Sequence, residues 1–164
     1  MRTNKISGMI GRSPINPFLF VVGKLAFIAS GFFFLITIIV PISLLYSSRA
    51  TSIIGIMLLV TGFCLAGFAL FHLGESVAVG LPDRQTALKT RGLYRFSRNP
   101  VYVGGILMCI GSCLYAIHVL NILLFMTALI IHHAIILKEE EYLENKFGSA
   151  WLEYKKRVPR YIGI

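Results

Sequence analysis

Acidic residues are scarce in this chain. Seven Asp and Glu stand against sixteen Lys and Arg, and all charged residues together make up 14% of the 164 positions. With 56% apolar residues and a mean hydropathy of +0.76, so little charge excludes an ordinary soluble domain. An integral membrane protein is what remains. Cysteine is also rare. Cys64, Cys109 and Cys113 all lie in apolar runs, are odd in number and lack metal-ligand spacing. That pattern argues against disulfides or a metal site and for reduced, buried thiols. Cys109 and Cys113 stand one helical turn apart, which suits packing. There is no internal repeat, no low-complexity tail and no secretory signal, because the first apolar run is too long and no small-residue cleavage site follows it. The net charge of +9 could serve nucleic acid. In so apolar a chain it fits membrane orientation and anionic headgroups better, and no nucleic-acid partner is expected.

What is present is hydrocarbon. The pattern predicts an all-α, polytopic membrane protein of about four transmembrane helices, with an amphipathic C-terminal tail over a cytoplasmic cofactor site. Residues 1–74 hold two spans. The first runs from about Phe18 to Tyr46, with Lys24 snorkelling at one end and Pro41 bending or ending it at the other. The second runs from Ser52 to about Gly74, and Gly55, Gly62 and Gly67 invite close helix packing. His72 and Glu75 close it as an interfacial polar pair or part of a polar site. A loop at 75–99 carries Arg84, Lys89, Arg91, Arg95 and Arg98, with a turn signal at Pro82-Asp83. Residues 100–137 read as a tight antiparallel hairpin of two spans, opened by Pro100. Residues 138–164 form the tail, which holds five of the seven carboxylates. Leu143, Phe147, Trp151 and Tyr154 recur there at helical spacing. Gly148 is placed to interrupt the helix and Pro159 to end it.

Basic residues alternate between the connections. Four lie at or before Lys24, one (Arg49) in the first short connection, five in the middle loop, none in the last short connection and six from Lys138 onward. The positive-inside rule then puts the N-terminus, middle loop and C-terminus on the cytoplasmic side.

Three features converge there: RGLYRFSRNP, the start of the third span, and the Glu-rich exit of the fourth. Hairpin geometry lets Arg98, Asn99 and Tyr102 face Glu139 and Glu140. His132 shares a helical face with Glu139, and His133 with Glu140. Histidine inside a span is a candidate for function, here toward the substrate. Adjacent histidines diverge, so a metal held by both is not expected. Carboxylates suit a ligand ammonium or sulfonium, and arginine suits a ligand carboxylate. S-adenosylmethionine carries all three. A phosphate-bearing nicotinamide would suit the same inventory.

Two blocks carry a family resemblance. Gly92–Gly104 reads GLYRFSRNPVYVG, against a pattern of about G-x-Y-R-x-x-R-H-P-x-Y-x-G. The tail shows Glu139-Glu140, then Leu143, Phe147-Gly148, Tyr154 and Val158-Pro159-Arg160. Together they resemble the isoprenylcysteine carboxyl methyltransferase and phospholipid methyltransferase family of integral membrane enzymes. The resemblance covers Gly92 to Arg160; the first two spans agree only in hydropathy. Asn99 stands where the family usually has histidine, and asparagine cannot act as a base at neutral pH. Trp151 replaces a usual tyrosine.

The resemblance implies an S-adenosylmethionine-dependent methyltransferase with a lipophilic acceptor, such as a lipid or lipidated substrate. It implies cofactor contacts from Gly92, Tyr94, Arg98, Asn99, Pro100, Tyr102, Gly104, Glu139, Glu140 and Arg160, with Glu139, Glu140 and Arg98 at the chemistry. Glu141 and Glu144 read as a solvated helix end, and Trp151 and Tyr154 as interfacial anchors. An NADPH-dependent reductase of sterol-reductase type and a non-catalytic lipid-binding protein are the alternatives. The glycine-bearing spans permit a dimer without requiring one.

Overall fold

The computed structural model describes residues 11–74, 80–81 and 87–163. Arg2, Lys5, Glu75, Pro82, Asp83 and Arg84, on which parts of the sequence reading rest, lie outside the described residues. The fold is all-α. Among the described residues, β-pairing is limited to two isolated bridges, Arg12 with Leu81 and Tyr46 with Ile117.

The first apolar run folds as two helices, α1 (Pro17–Gly31) and α2 (Phe33–Ile39). Asn16 opens α1, accepting from the amides of Phe18 and Leu19, and Pro17 takes the first helical position. The two axes differ by 47°. The bend lies at Phe32, not at Pro41. Its cause is a side chain inserted into the helical ladder: the Phe34 amide donates to Ser112 Oγ at 3.2 Å, across the bundle. Val40 is extended, as the residue before a proline prefers, so α2 stops short of Pro41.

α3 (Arg49–Leu73) starts from a capping box between Ser48 and Thr51. α4 (Pro100–Tyr115) begins on Pro100, and His118 caps α5 (Val119–Phe147) through the Leu120 amide. Gly148, at φ +55°, separates α5 from α6 (Ser149–Arg157). α3 and α5 are long and apolar enough to cross a membrane, and α1 with α2 meets the same standard as one bent span. α4 is the short member, with 16 residues. That length gives about 24 Å of helix against a hydrocarbon core of ~30 Å.

α3 and α4 meet backbone to backbone. A Cβ on Gly62 would lie 2.5 Å from the Gly104 carbonyl, and one on Gly111 would lie 2.6 Å from the Gly55 carbonyl. Small residues permit this approach, which drives helix association where lipid removes the hydrophobic effect. Gly67 takes no part, since open space surrounds it. α1 lies against both α4 and α5, with Gly23 on Ile131 and the Phe27 ring on Gly105. The α4–α5 pair is therefore a hairpin into which α1 packs.

A buried polar chain ties these helices. Ser30 Oγ donates to Asn121 Oδ1 at 3.0 Å, and Asn121 Nδ2 donates to Ser112 Oγ and the Ala116 carbonyl. Such groups need internal partners in hydrocarbon. The cysteines are free thiols, and the Cys109 thiol donates to the Phe27 carbonyl. Outward faces stay apolar, with Phe63, Phe71 and Ile39 exposed, as lipid contact requires.

Candidate active site

The tail folds back because Gly148 turns it. α6 lays its apolar face on the end of α5, where Trp151, Tyr154 and Val158 pack with Leu88, Leu143 and Phe147. Trp151 and Tyr154 are 1% and 3% exposed, so they are the core of the tail and not interfacial anchors. The Tyr154 hydroxyl donates to the Tyr94 carbonyl at 2.6 Å. That pins the tail to the 3-10 turn Gly92–Arg95. Burial pushes the Tyr94 phenol up to about 12, with the Glu139 charge adding to it, and burial likewise raises Tyr154. Both stay protonated at neutral pH.

Beyond α6, the chain runs beside the middle loop. The Arg98 amide donates to the Pro159 carbonyl, and Ser97 Oγ donates to the Arg160 carbonyl, each at 2.9 Å. This docking delivers Arg160 to Glu140. Arg160 Nε and Nη2 reach the two Glu140 oxygens at 3.1 and 3.0 Å, a bidentate pair. Arg98 Nη2 approaches Oε1 at 3.3 Å, and Asn99 Nδ2 donates to the same oxygen and to the Arg160 carbonyl. Glu140 is 4% exposed. Two guanidiniums thus share one buried carboxylate, leaving one positive charge in excess. Arg98 Nε and Nη1 are buried without a partner.

Glu139 points elsewhere, since successive helical residues diverge by about 100°. The Tyr102 hydroxyl spans its two oxygens at 3.0 and 3.1 Å. Tyr102 also meets the His132 ring edge-on, with centroids 5.6 Å apart. His132 is buried. Its Nδ1 lies 2.9 Å from the Ala128 carbonyl, which can only accept, so Nδ1 carries a proton, and Nε2 has no partner. His133 diverges to the Tyr161 hydroxyl at 2.9 Å, outside this cluster.

Arg98, Asn99, Tyr102, Glu139, Glu140 and Arg160 therefore come together. Gly92, Tyr94, Pro100 and Gly104 act from behind. Gly92 has φ +64°, and a Cβ there would strike the His72 ring. Gly104 is spent on α3, whose backbone fills the space a ligand would need. His72 itself bonds the Phe68 carbonyl at 2.7 Å and lines a recess of about 220 Å³ with Leu88 and Arg91. A second recess, of about 230 Å³, opens between Glu140, Arg160, Asn145 and Lys155. Ser97 and Lys24 escaped the sequence reading of the site. Lys24 had a signal, as a lone charge inside an apolar run.

Residues 50–150 match the phospholipid methyltransferase family. The chain belongs to that family. The matched stretch runs from α3 into the start of α6 and includes Arg98, Asn99, Tyr102, Glu139 and Glu140, while Arg160 lies beyond it. Among curated relatives, the protein-S-isoprenylcysteine O-methyltransferase of Schizosaccharomyces pombe is 30% identical over 127 residues, 75% of this chain and 53% of the relative. The human protein of the same name is 30% identical over 112 residues, 66% of this chain and 39% of its own length. The chain thus spans about half the length, or less, of these relatives.

Proposed function

We propose that this chain is an S-adenosylmethionine-dependent methyltransferase that acts on a lipophilic acceptor at the cytoplasmic face of a membrane. One observation carries the reading. Beside an acidic pair, Arg98 holds two buried donors without partners. Burying unpaired donors is costly, and a ligand carboxylate would satisfy one of them. Glu139, held by a phenol and not by a guanidinium, is left to take a ligand ammonium. The donor set fits the zwitterionic end of the cofactor, with Asn99 and Arg160 fixing Glu140 behind it.

Bound there, the cofactor would supply an activated methyl group. The protein would supply position: in-line displacement depends mainly on holding donor and acceptor in register. The curated relatives' names favour the carboxylate of an isoprenylated cysteine as acceptor. A carboxylate is already nucleophilic. A phospholipid amine would first have to lose a proton, and the unpartnered His132 Nε2 could receive it. Asn99 cannot serve as that base.

The test is methyl transfer from labelled S-adenosylmethionine to farnesylcysteine and to phosphatidylethanolamine, with NADPH binding as control. Transfer to either acceptor supports the reading. NADPH binding without transfer would replace it with a reductase.

A further inference from the structure

Lys24 is the one basic residue within the helical part of α1. Snorkelling would carry its ammonium outward to the headgroups. The structure turns it inward. Gly23 seats α1 on Ile131 of α5, and Phe27 fills the space above Gly105 of α4. Between these contacts Lys24 Nζ lies 5.3 Å from the Tyr102 ring centroid and 5.3 Å from that of Phe20. Tyr102 is the residue whose hydroxyl spans the Glu139 carboxylate. Lys24 is also within electrostatic reach of Glu139 and of His132.

We propose that Lys24 is a positioning residue: its ammonium, packed on Tyr102, is the cation that favours the carboxylate form of Glu139 at the membrane boundary. Glu140 has two guanidiniums for this purpose, and Glu139 has Lys24. An ionised carboxylate so placed needs a nearby cation, or it takes up a proton. The other groups facing Glu139 cannot substitute. Tyr94 and Tyr102 are phenols, Tyr161 touches Tyr102 electrostatically but is itself a phenol, and His132 shares the Lys24 field without contacting Glu139. The Arg98–Glu140–Arg160 clasp serves Glu140. The role of Glu139 toward a ligand ammonium rests on the proposed function; the counter-ion pairing does not.

The test uses the purified full chain with Lys24→Met, which keeps the length of the side chain, and Lys24→Arg, which keeps the charge. Infrared spectroscopy of the ligand-free protein reads the carboxyl directly. At neutral pH, Lys24→Met should show a protonated-carboxyl stretch that disappears when Glu139→Gln is added. In a pH titration, the unaltered chain and Lys24→Arg should develop that stretch at lower pH than Lys24→Met does. S-adenosylmethionine binding to Lys24→Met should fall about tenfold at neutral pH and recover on alkalinisation, as Glu139 ionises again. A merely structural role for Lys24 would give weak binding at every pH. A protonated-carboxyl signal that titrates at the same pH in Lys24→Met and in the unaltered chain overturns the pairing. If the signal appears but the unaltered chain binds no S-adenosylmethionine, the pairing stands and the cofactor assignment falls.

Discussion

Glu139 and Glu140 are neighbours with different work. Glu140 is the hub of the tail, bound by Arg160, Arg98 and Asn99 at once. Replacing it with glutamine leaves two guanidiniums without their counter-charge. Breaking a buried pair of this kind costs on the order of 3 kcal/mol. Glu140→Gln should therefore loosen the C-terminal segment as well as any ligand site, and limited proteolysis should cut the variant near Arg160 faster than the wild type. Unchanged cleavage would mean that the clasp does not hold the tail. Glu139→Gln is the cleaner probe of ligand binding, because Tyr102 can hydrogen-bond the amide and no guanidinium pair is lost. The sequence placed both glutamates at the helix exit, opposite Arg98 and Tyr102. It could not divide their roles, because that depends on where Arg160 lands. The Arg160 position is set by two backbone carbonyls, Pro159 and Arg160, which accept from Arg98 N and Ser97 Oγ. Backbone contacts of that kind leave no compositional trace.

The α3–α4 seam and the tail are the two elements whose packing can be broken by a single change. Gly62→Leu or Gly111→Leu must push the helices apart, since even the first added carbon meets a backbone carbonyl. Thermal unfolding in detergent should fall clearly for both. Gly67→Ala, in open space on the same helix, should match or exceed wild type by up to about 1 kcal/mol through helix propensity. Equal behaviour of the three variants would dismiss the seam. Trp151, the single tryptophan, is buried in the tail core. Trp151→Ala should cost about 3–5 kcal/mol of local stability, which an interfacial anchor would not. The tail should also respond to base. Burial raises Tyr94 from 10.0 to about 12, so the folded form holds its proton more tightly than the unfolded chain does. The stability this gives is full below the unfolded value and is lost as pH rises through the folded one. Trp151 fluorescence should therefore report tail release between those two values and not near neutrality. The helical stripe Leu143-Phe147-Trp151-Tyr154 was legible from spacing. Its destination was not, because Gly148 redirects the axis and turns a face that could have met lipid onto Leu88.

Across the whole molecule, polarity is concentrated at one end. Among the described residues, twelve of the thirteen basic residues lie in three segments that the helix order places together, and Arg49 is the exception. Cysteine probes at Arg91 and Lys156 should react from the same side of a sealed vesicle and a probe at Arg49 from the other. A shared side for all three would overturn the topology. The bend at Phe32 was invisible to sequence because its cause is Ser112, almost eighty residues away in the chain. Its partner Asn121, and Ser30 that bonds Asn121 in turn, read as ordinary polar residues in apolar runs until the fold joins them.

The measurement that matters first is equilibrium binding of S-adenosylmethionine to the detergent-purified chain, beside Glu139→Gln shown to be folded. The site described here predicts saturable binding by the wild type, weakened about tenfold or more in the variant, as loss of a charge-assisted contact requires. No binding by the folded wild type, or equal affinity in the variant, would contradict it.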